Sequence, residues 1–296
     1  MKKSLYFSIL ASLFFFNTLY SKADPVGDGI EQIPIFDAHM HYKEPAWEVY
    51  PVQTVIELMD KNRVAMALVS STPDEGTIRL YQHAPDRIVP ELRPYYSAKN
   101  QRPYAKSANS SNWTKAEGML DYIKERLHTY DHAGIGEFHI HRLDRSDKPL
   151  LTEITKLAKM RNIPIHIHSG AEPVEFLYSL EPDITIIWAH AGMFEPPRIV
   201  DDIMTRYPNT YVDTSYREME ILAADNSIDP DWRRVIDKHT DRFMVGTDTW
   251  INDQWEDYTD LIKLNRLWLK NLPREQAEKI AYKNALRLFK RTLPKN

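Results

Sequence analysis

The sequence of 296 residues contains no cysteine. Disulfide bonds are therefore excluded, and the stability of the fold must come from a buried core. Without thiolates, any bound metal ion must be held by nitrogen and oxygen atoms alone. The chain also lacks a run of basic residues, and its formal net charge is −4. It has no electrostatic footprint for nucleic acid or for an anionic membrane surface.

The first 23 residues have the pattern of a secretory signal. Lys2 and Lys3 precede an apolar and aromatic run at 5–20, and Ser21-Lys22-Ala23 fits a small-x-small cleavage site. An uncleaved membrane anchor is the alternative, but the run is short for a span and is interrupted by polar residues. We expect cleavage after Ala23, a periplasmic or secreted protein, and no stable membrane association afterwards. Residues 24–32 are interpreted as a short tether.

Strand-like and helical patterns alternate along the rest of the chain. The strand candidates lie at 35–41, 64–71, 88–95, 134–140, 163–169, 184–190, 210–215 and 242–248. Longer amphipathic segments separate them, and such an alternation indicates right-handed βαβ units with a parallel sheet. Eight strands in about 250 residues predict a single-domain (β/α)8 TIM barrel of the α/β class, at 33–296, with a final helix at 274–290. An open doubly wound sheet is the alternative, although no Gly-x-Gly-x-x-Gly or Walker-type loop follows any strand.

A polar segment at 97–112 follows the third predicted strand. Its length and composition predict a long loop, which is a candidate lid over the mouth of the barrel.

Ionisable side chains lie at the carboxyl ends of five predicted strands. They are His39 and His41, Glu137 and His139, His168, His190, and Asp248. Side chains two apart on a strand point to the same face, so His39 and His41 can reach one ion together. The carboxyl ends of barrel strands meet at one mouth, where such enzymes carry their chemistry. A single histidine on a strand is usually structural. Metal-binding side chains at the ends of five strands are much harder to explain by chance, so they predict a catalytic metal site.

In these residues the chain resembles the metal-dependent amidohydrolase superfamily, in the amidohydrolase-related branch that includes carboxylate decarboxylases and lactonases. The resemblance covers residues 33–292 and rests on the His-x-His of strand one, the histidines of strands five and six, and the Gly-Thr-Asp of strand eight. It implies a metal-activated water, one or two divalent ions, usually Zn²⁺, and a small-molecule substrate. Barrels of this kind often pair, so a homodimer is one expected assembly.

The expected ligands are His39, His41, His168 and Asp248. Asp248 can also accept the proton of the attacking water and pass it to the leaving group, while His190 is expected to polarise the substrate or the water. The role of Glu137 stays open between a ligand shared with a second ion and a carboxylate that orients a ligand histidine.

Other polar residues have weaker assignments. His139 lies nearer the mouth and is a candidate for a second ion or the substrate, whereas His166 is expected inside the barrel with a hydrogen bond. Arg93 could clamp a carboxylate through two hydrogen bonds or form a structural ion pair. Further substrate-binding candidates are Arg142, Tyr216 and Arg217, and candidate walls of the pocket are Trp250 and Trp255. Asp213 is expected to orient the loop after strand seven. The histidines expected at the surface are His83, His128, His132 and His239.

The main functional expectation is a metal-dependent hydrolase that cleaves an amide, lactone or ester bond of a small organic molecule. A non-oxidative decarboxylase of a small carboxylic acid is the alternative on the same scaffold. A non-catalytic metal-binding or partner-binding barrel is the alternative from another class.

Overall fold

The computed structural model describes residues 24–96 and 108–294. The strands are β1 (Ile35–Met40), β2 (Val64–Ser70), β3 (Ile88–Glu91), β4 (Ile135–Ile140), β5 (Ile165–Ser169), β6 (Ile186–Trp188), β7 (Thr210–Asp213) and β8 (Phe243–Met244). The helices are α1 (Val52–Lys61), α2 (Glu75–His83), α3 (Met119–Thr129), α4 (Lys148–Arg161), α5 (Ala171–Leu180), α6 (Pro197–Arg206), α7 (Glu218–Ile221), α8 (Pro230–His239), α9 (Asn252–Glu256), α10 (Tyr258–Leu269), α11 (Arg274–Glu278) and α12 (Asn284–Leu288). The signal segment 1–23 and most of the candidate lid, 97–107, lie outside the described residues.

The eight strands run parallel and close into a barrel. Strands β1 to β3 form one sheet and β4 to β8 another. The amide of Leu92, just after β3, donates to Gly134 O, and Gly136 N in β4 donates to Leu92 O. On the opposite side, Ala38 N in β1 donates to Val245 O, just after β8. These bonds join the two sheets at both edges, which gives the α/β barrel that the alternating pattern predicts.

Strand β5 shows how the sequence separates the two faces of the barrel wall. Ile165 and Ile167 are fully buried in the apolar core beneath the helices, and each buried isoleucine contributes roughly 1.5–3 kcal/mol. The alternate positions, His166 and His168, point the other way because successive strand side chains face opposite sides. The same alternation therefore builds the outer core and supplies the polar interior.

Several boundaries differ from the sequence-based expectation. Residues 27–32 form a 3-10 helix, Ile30 is 2% exposed, and Val26 N donates to Leu272 O. This segment is packed on the fold and is not a tether. The amphipathic pattern at 114–132 predicts a helix over that whole range. The helix begins only at Met119, because Gly118 adopts a left-handed conformation with φ of 71° that ends the preceding turn. In the described part of the chain, no helix is both long and apolar enough to cross a bilayer.

A buried polar cluster fixes the segment after β8 against the loop after β7. Glu218 begins α7 and is 5% exposed. Asn265 Nδ2, from α10, donates to Glu218 Oε1 (3.2 Å) and to Gly246 O (3.1 Å). Burial, with a smaller effect from Asp213 and Asp248, raises the pKa of Glu218 to about 8. The side chain is therefore protonated at neutral pH.

This raised pKa predicts a specific pH dependence of stability. Between the unfolded value near 4.5 and the folded value near 8, the folded state holds the Glu218 proton that the unfolded state has released, so stability falls as pH rises. Glu218→Gln should remove this loss and be more stable than the wild type by a few kcal/mol at pH 8, with the difference shrinking toward pH 5. Urea unfolding of both proteins at several pH values measures the gap, and a gap independent of pH would contradict the assignment.

Candidate metal centre

Four donor atoms converge at the carboxyl ends of β1, β4 and β8. They are His39 Nε2, His41 Nε2, Asp248 Oδ1 and Glu137 Oε2, and all four side chains are buried. The two histidine nitrogens are 3.2 Å apart. Asp248 Oδ1 lies 3.5 Å from His39 Nε2 and 3.0 Å from His41 Nε2. Glu137 Oε2 lies 3.6 Å from His39 Nε2 and 3.3 Å from His41 Nε2. Ligand atoms of a tetrahedral zinc ion are about 3.3 Å apart, given bonds of about 2.0–2.1 Å. The spacing fits one metal ion.

A second donor group adjoins the first and uses the other oxygen of Glu137. Glu137 Oε1 is 2.9 Å from His168 Nδ1 and 3.5 Å from His190 Nε2, and the two histidine nitrogens are 3.2 Å apart. The expected ligand set is therefore divided. His168 joins Glu137 and His190, while His39, His41 and Asp248 stay in the first group with Glu137. The two groups adjoin, because His190 also lies beside His39 and Asp248, with its Nε2 3.8 Å from Asp248 Oδ2.

Three histidines have their outer ring nitrogen held by a partner. His41 Nδ1 donates to the carbonyl oxygen of Ser70, which can only accept. His190 Nδ1 lies 2.9 Å from Ser215 Oγ, and His39 Nδ1 lies 3.3 Å from Asp213 Oδ2. A proton on Nδ1 leaves the Nε2 lone pair free for a metal ion, and such outer partners also fix the ring orientation.

Asp213 and His166 form a charged layer beneath these donors. Asp213 Oδ2 lies 3.3 Å from His166 Nε2 and accepts from His190 N at 3.2 Å. His166 Nδ1 is 3.0 Å from Glu91 Oε2. Burial lowers the pKa of His166, but the two carboxylates outweigh it and raise that pKa to about 9. His166 thus hydrogen-bonds inside the barrel as expected, and Asp213 orients two histidines in addition to its loop.

The centre carries the negative potential that a cation requires. Burial opposes ionisation of Asp248, but His39 and His41 outweigh it and hold the pKa of Asp248 below its ordinary value. The pKa of Glu137 is likewise lowered, against the effect of burial, by His39 and by the guanidinium of Arg93. The carboxylates also raise the pKa of His39, against the effect of its burial. Carboxylates and imidazoles of this kind fit a divalent cation.

Local backbone geometry places these side chains. Gly136 has φ of 148°, and a Cβ atom there would lie 2.1 Å from His166 O, so the residue before Glu137 must be glycine. His190 and Asp248 adopt left-handed conformations, with φ of 55° and 50°. Such conformations are uncommon for non-glycine residues and concentrate at functional sites.

A pocket of about 490 Å³ opens over the donors. It is lined by Lys43, Thr72, Arg93, Tyr95, Asn109, Ser110, Glu137, His139, His168, His190, Met193, Tyr216, Asp248 and Trp250. The substrate-binding candidates Arg93, His139 and Tyr216 are among these lining residues. Asn109 and Ser110 belong to the described end of the candidate lid loop.

The structure places the three predicted arginines differently. Arg93 donates through Nη2 to Glu137 Oε2 (2.8 Å) and through Nε to Glu137 O (3.0 Å), which is the structural ion pair of the two alternatives. Arg217 is 1% exposed, and its guanidinium donates to Met193 O and Glu195 O. It braces the loop after β6 and does not line the described pocket. Arg142 is exposed and also lies outside that lining.

Some residues of the site were not singled out by the sequence. Tyr95 Oη lies 2.9 Å from His139 Nδ1, and burial lowers the pKa of His139 to about 3, which keeps it neutral. Ser215 contacts His190, as above. Lys43 had an available signal, because it stands two positions after His41 and continues the alternation of β1. Ser215 had the same signal, because it stands two positions after Asp213 and closes the strand predicted at 210–215.

The exposure and contacts of the remaining tryptophans and histidines show which of their predicted positions are right. Trp250 lines the pocket and donates from Nε1 to Tyr216 Oη (2.8 Å), whereas Trp255 is buried and lines a smaller neighbouring pocket. The surface assignment of His132 and His239 is wrong. Each is 5% exposed, because His132 packs on Asp74 and His239 on Asp201.

Comparisons with known proteins agree with this fold. The lactonase Lmo2620 from Listeria monocytogenes superposes with a TM-score of 0.63 at 13% identity, covering 90% of this chain and 97% of that one. The organophosphorus hydrolase from Deinococcus radiodurans gives a TM-score of 0.54 at 12% identity, covering 90% and 96%. At these identities the likeness shows the fold alone. No curated protein matches the sequence.

The sequence profile of a protein family provides the stronger evidence. The profile described as Amidohydrolase matches residues 36–291, nearly the whole described barrel and every donor residue of the centre. The chain therefore belongs to the amidohydrolase family, as its motifs indicated, and is a metal-dependent hydrolase.

Proposed function

We propose that the protein is an exported hydrolase that uses two divalent ions, most simply Zn²⁺, to cleave the C–N or C–O bond of a small amide, lactone or ester. The observation that carries the two-ion proposal is the carboxylate of Glu137, which presents one oxygen to each donor group. His39, His41 and Asp248 would hold one ion, and His168 and His190 the other. Export rests on the signal pattern at 1–23.

Ions at these positions would supply a water nucleophile whose pKa is lowered toward about 7 and would polarise the scissile carbonyl. Asp248 supplies the general base. Its Oδ1 faces the histidine nitrogens and the side chain lines the pocket, so the second oxygen can accept the proton of the attacking water. The low pKa keeps this carboxylate ionised, and the proton then passes to the leaving nitrogen or oxygen.

The other residues have positioning roles in this proposal. His190 is assigned to the ligands, because its Nδ1 lies against Ser215 and a neutral ring then has no proton on Nε2 to donate to a carbonyl. Arg93 holds the Glu137 carboxylate in place. Tyr216 and Trp250, joined by their hydrogen bond, form a wall against which the body of the substrate can pack.

The first test is the metal content of the purified protein and of ligand variants. Zinc-loaded wild type, freed of excess metal, should contain two ions per chain by elemental mass spectrometry. His168→Ala should retain one ion, because the group of His39, His41 and Asp248 stays intact. His139→Ala is the matched control: it lines the same pocket outside both donor groups and should retain two. One ion in the wild type, unchanged in His168→Ala, would contradict the two-ion proposal.

The second test addresses Asp248 as the general base. Asp248→Asn keeps the size of the side chain but cannot accept the proton, so kcat should fall by about 10²–10⁴-fold on any lactone, ester or amide that the wild type turns over. Asp253→Asn, an exposed change in the following segment, should leave the rate unchanged. Circular dichroism confirms that both variants fold. A rate for Asp248→Asn within threefold of wild type would exclude the role.

A further inference from the structure

Lys43 occupies a position in the pocket that the proposed chemistry does not use. It lies between β1 and a short 3-10 helix at Glu44–Ala46 and is only partly exposed. It lines both the main pocket of about 490 Å³ and a neighbouring pocket of about 150 Å³. Trp250 is shared by the two pockets as well, so these two side chains lie at the boundary between them.

The ammonium group of Lys43 lacks a carboxylate partner. Among the ion pairs formed within residues 24–96 and 108–294, none includes Lys43; its aromatic neighbour is Trp250, with Nζ 5.5 Å from the ring centroid. The other cation of the pocket, Arg93, is already bound to Glu137 at 2.8 Å. An ammonium group that is partly withdrawn from water and has no protein carboxylate beside it gains a charge-assisted hydrogen bond when an anionic ligand group binds.

The smaller pocket gives such a group a place. Besides Lys43 and Trp250, it is lined by Pro45, Ala46, Thr249, Ile251, Asn252 and Trp255. This lining is mainly apolar and contains no acidic residue, so nothing in it would repel an anion. A substrate whose reacting carbonyl lies over the donor groups can direct a short acidic arm along the wall of Trp250 toward Lys43.

We propose that Lys43 and the smaller pocket form an acid-binding subsite, which selects substrates that carry a carboxylate beside the bond to be cleaved. This inference rests on the proposed hydrolase function and names its substrate class. The competing role for Lys43 is a counter-charge to Glu137 and Asp248, which line the same pocket. That role would act on metal binding and would not distinguish between acidic and neutral ligands.

Two ligands of equal shape and different charge test the subsite: coumarin-3-carboxylate and coumarin-3-carboxamide. Calorimetry with the zinc-loaded protein should show that the acid binds about tenfold more tightly, as expected for a hydrogen bond to a charged group. Lys43→Met should abolish the preference and Lys43→Arg should retain it. Lys156→Met is the matched control, because Lys156 is exposed on α4, and it should behave as the wild type.

Equal binding of the two ligands, binding of neither, or a preference that survives in Lys43→Met would overturn the subsite. A change in zinc content with an unchanged preference would assign Lys43 to the counter-charge role and would overturn it as well. Ring opening, followed by absorbance, separates this result from the proposed function. Equal ring opening of both ligands would leave the hydrolase standing without the subsite, whereas acid-selective binding without ring opening would leave the subsite without the hydrolase.

Discussion

The carboxylate of Glu137 contacts both donor groups, and the arrangement of the mouth follows from this double contact. One oxygen faces His39 and His41, the other faces His168 and His190. A buried carboxylate in such a place needs its orientation fixed, because a rotation of the side chain would separate both groups at once. Arg93 binds its outer edge, and the glycine before it allows the backbone to approach β5. The residue two positions after β3, Arg93, and the glycine in β4, Gly136, therefore both fix the position of the Glu137 side chain.

The interior of the barrel is built from charges in layers, and this explains how so many ionisable groups remain buried. Glu91, His166 and Asp213 lie below the donors, with the histidine cation between two carboxylates. An unpaired charge in this environment would cost several kcal/mol, whereas the alternation of signs offsets much of that cost. The deeper layer also sets the upper one, because Asp213 contacts His39 directly and reaches the backbone of His190. Chemistry and packing are thus decided by the same side chains.

The fold and the gathering of His39, His41 and His168 at one mouth could be predicted from the sequence, because each rests on a periodic signal. Alternation with a period of two marks β1 and β5, and the polar members of that alternation are the donors His39, His41 and His168. The pairing of donors could not be predicted in this way. Whether His168 joins His39 or His190 depends on the side-chain rotamer of Glu137 and on the stagger of neighbouring strands, and neither leaves a pattern in the sequence. Arg217 shows the same limit: its position after β7 suggested the pocket, but a turn directs the guanidinium to backbone carbonyls.

Strand β8 is only two residues long, and it closes the barrel against β1. Few backbone hydrogen bonds hold this seam, among them those from Ala38 N to Val245 O and from Asp248 N to His39 O. The first donor group lies across the same seam, since His39 lies in β1, His41 follows that strand directly and Asp248 follows β8. A cation held by these side chains would cross-link the first and last strands. Loss of the ion would then weaken the contact between the first and last strands as well as abolish the chemistry. The stability of the folded chain would therefore depend on the supply of metal.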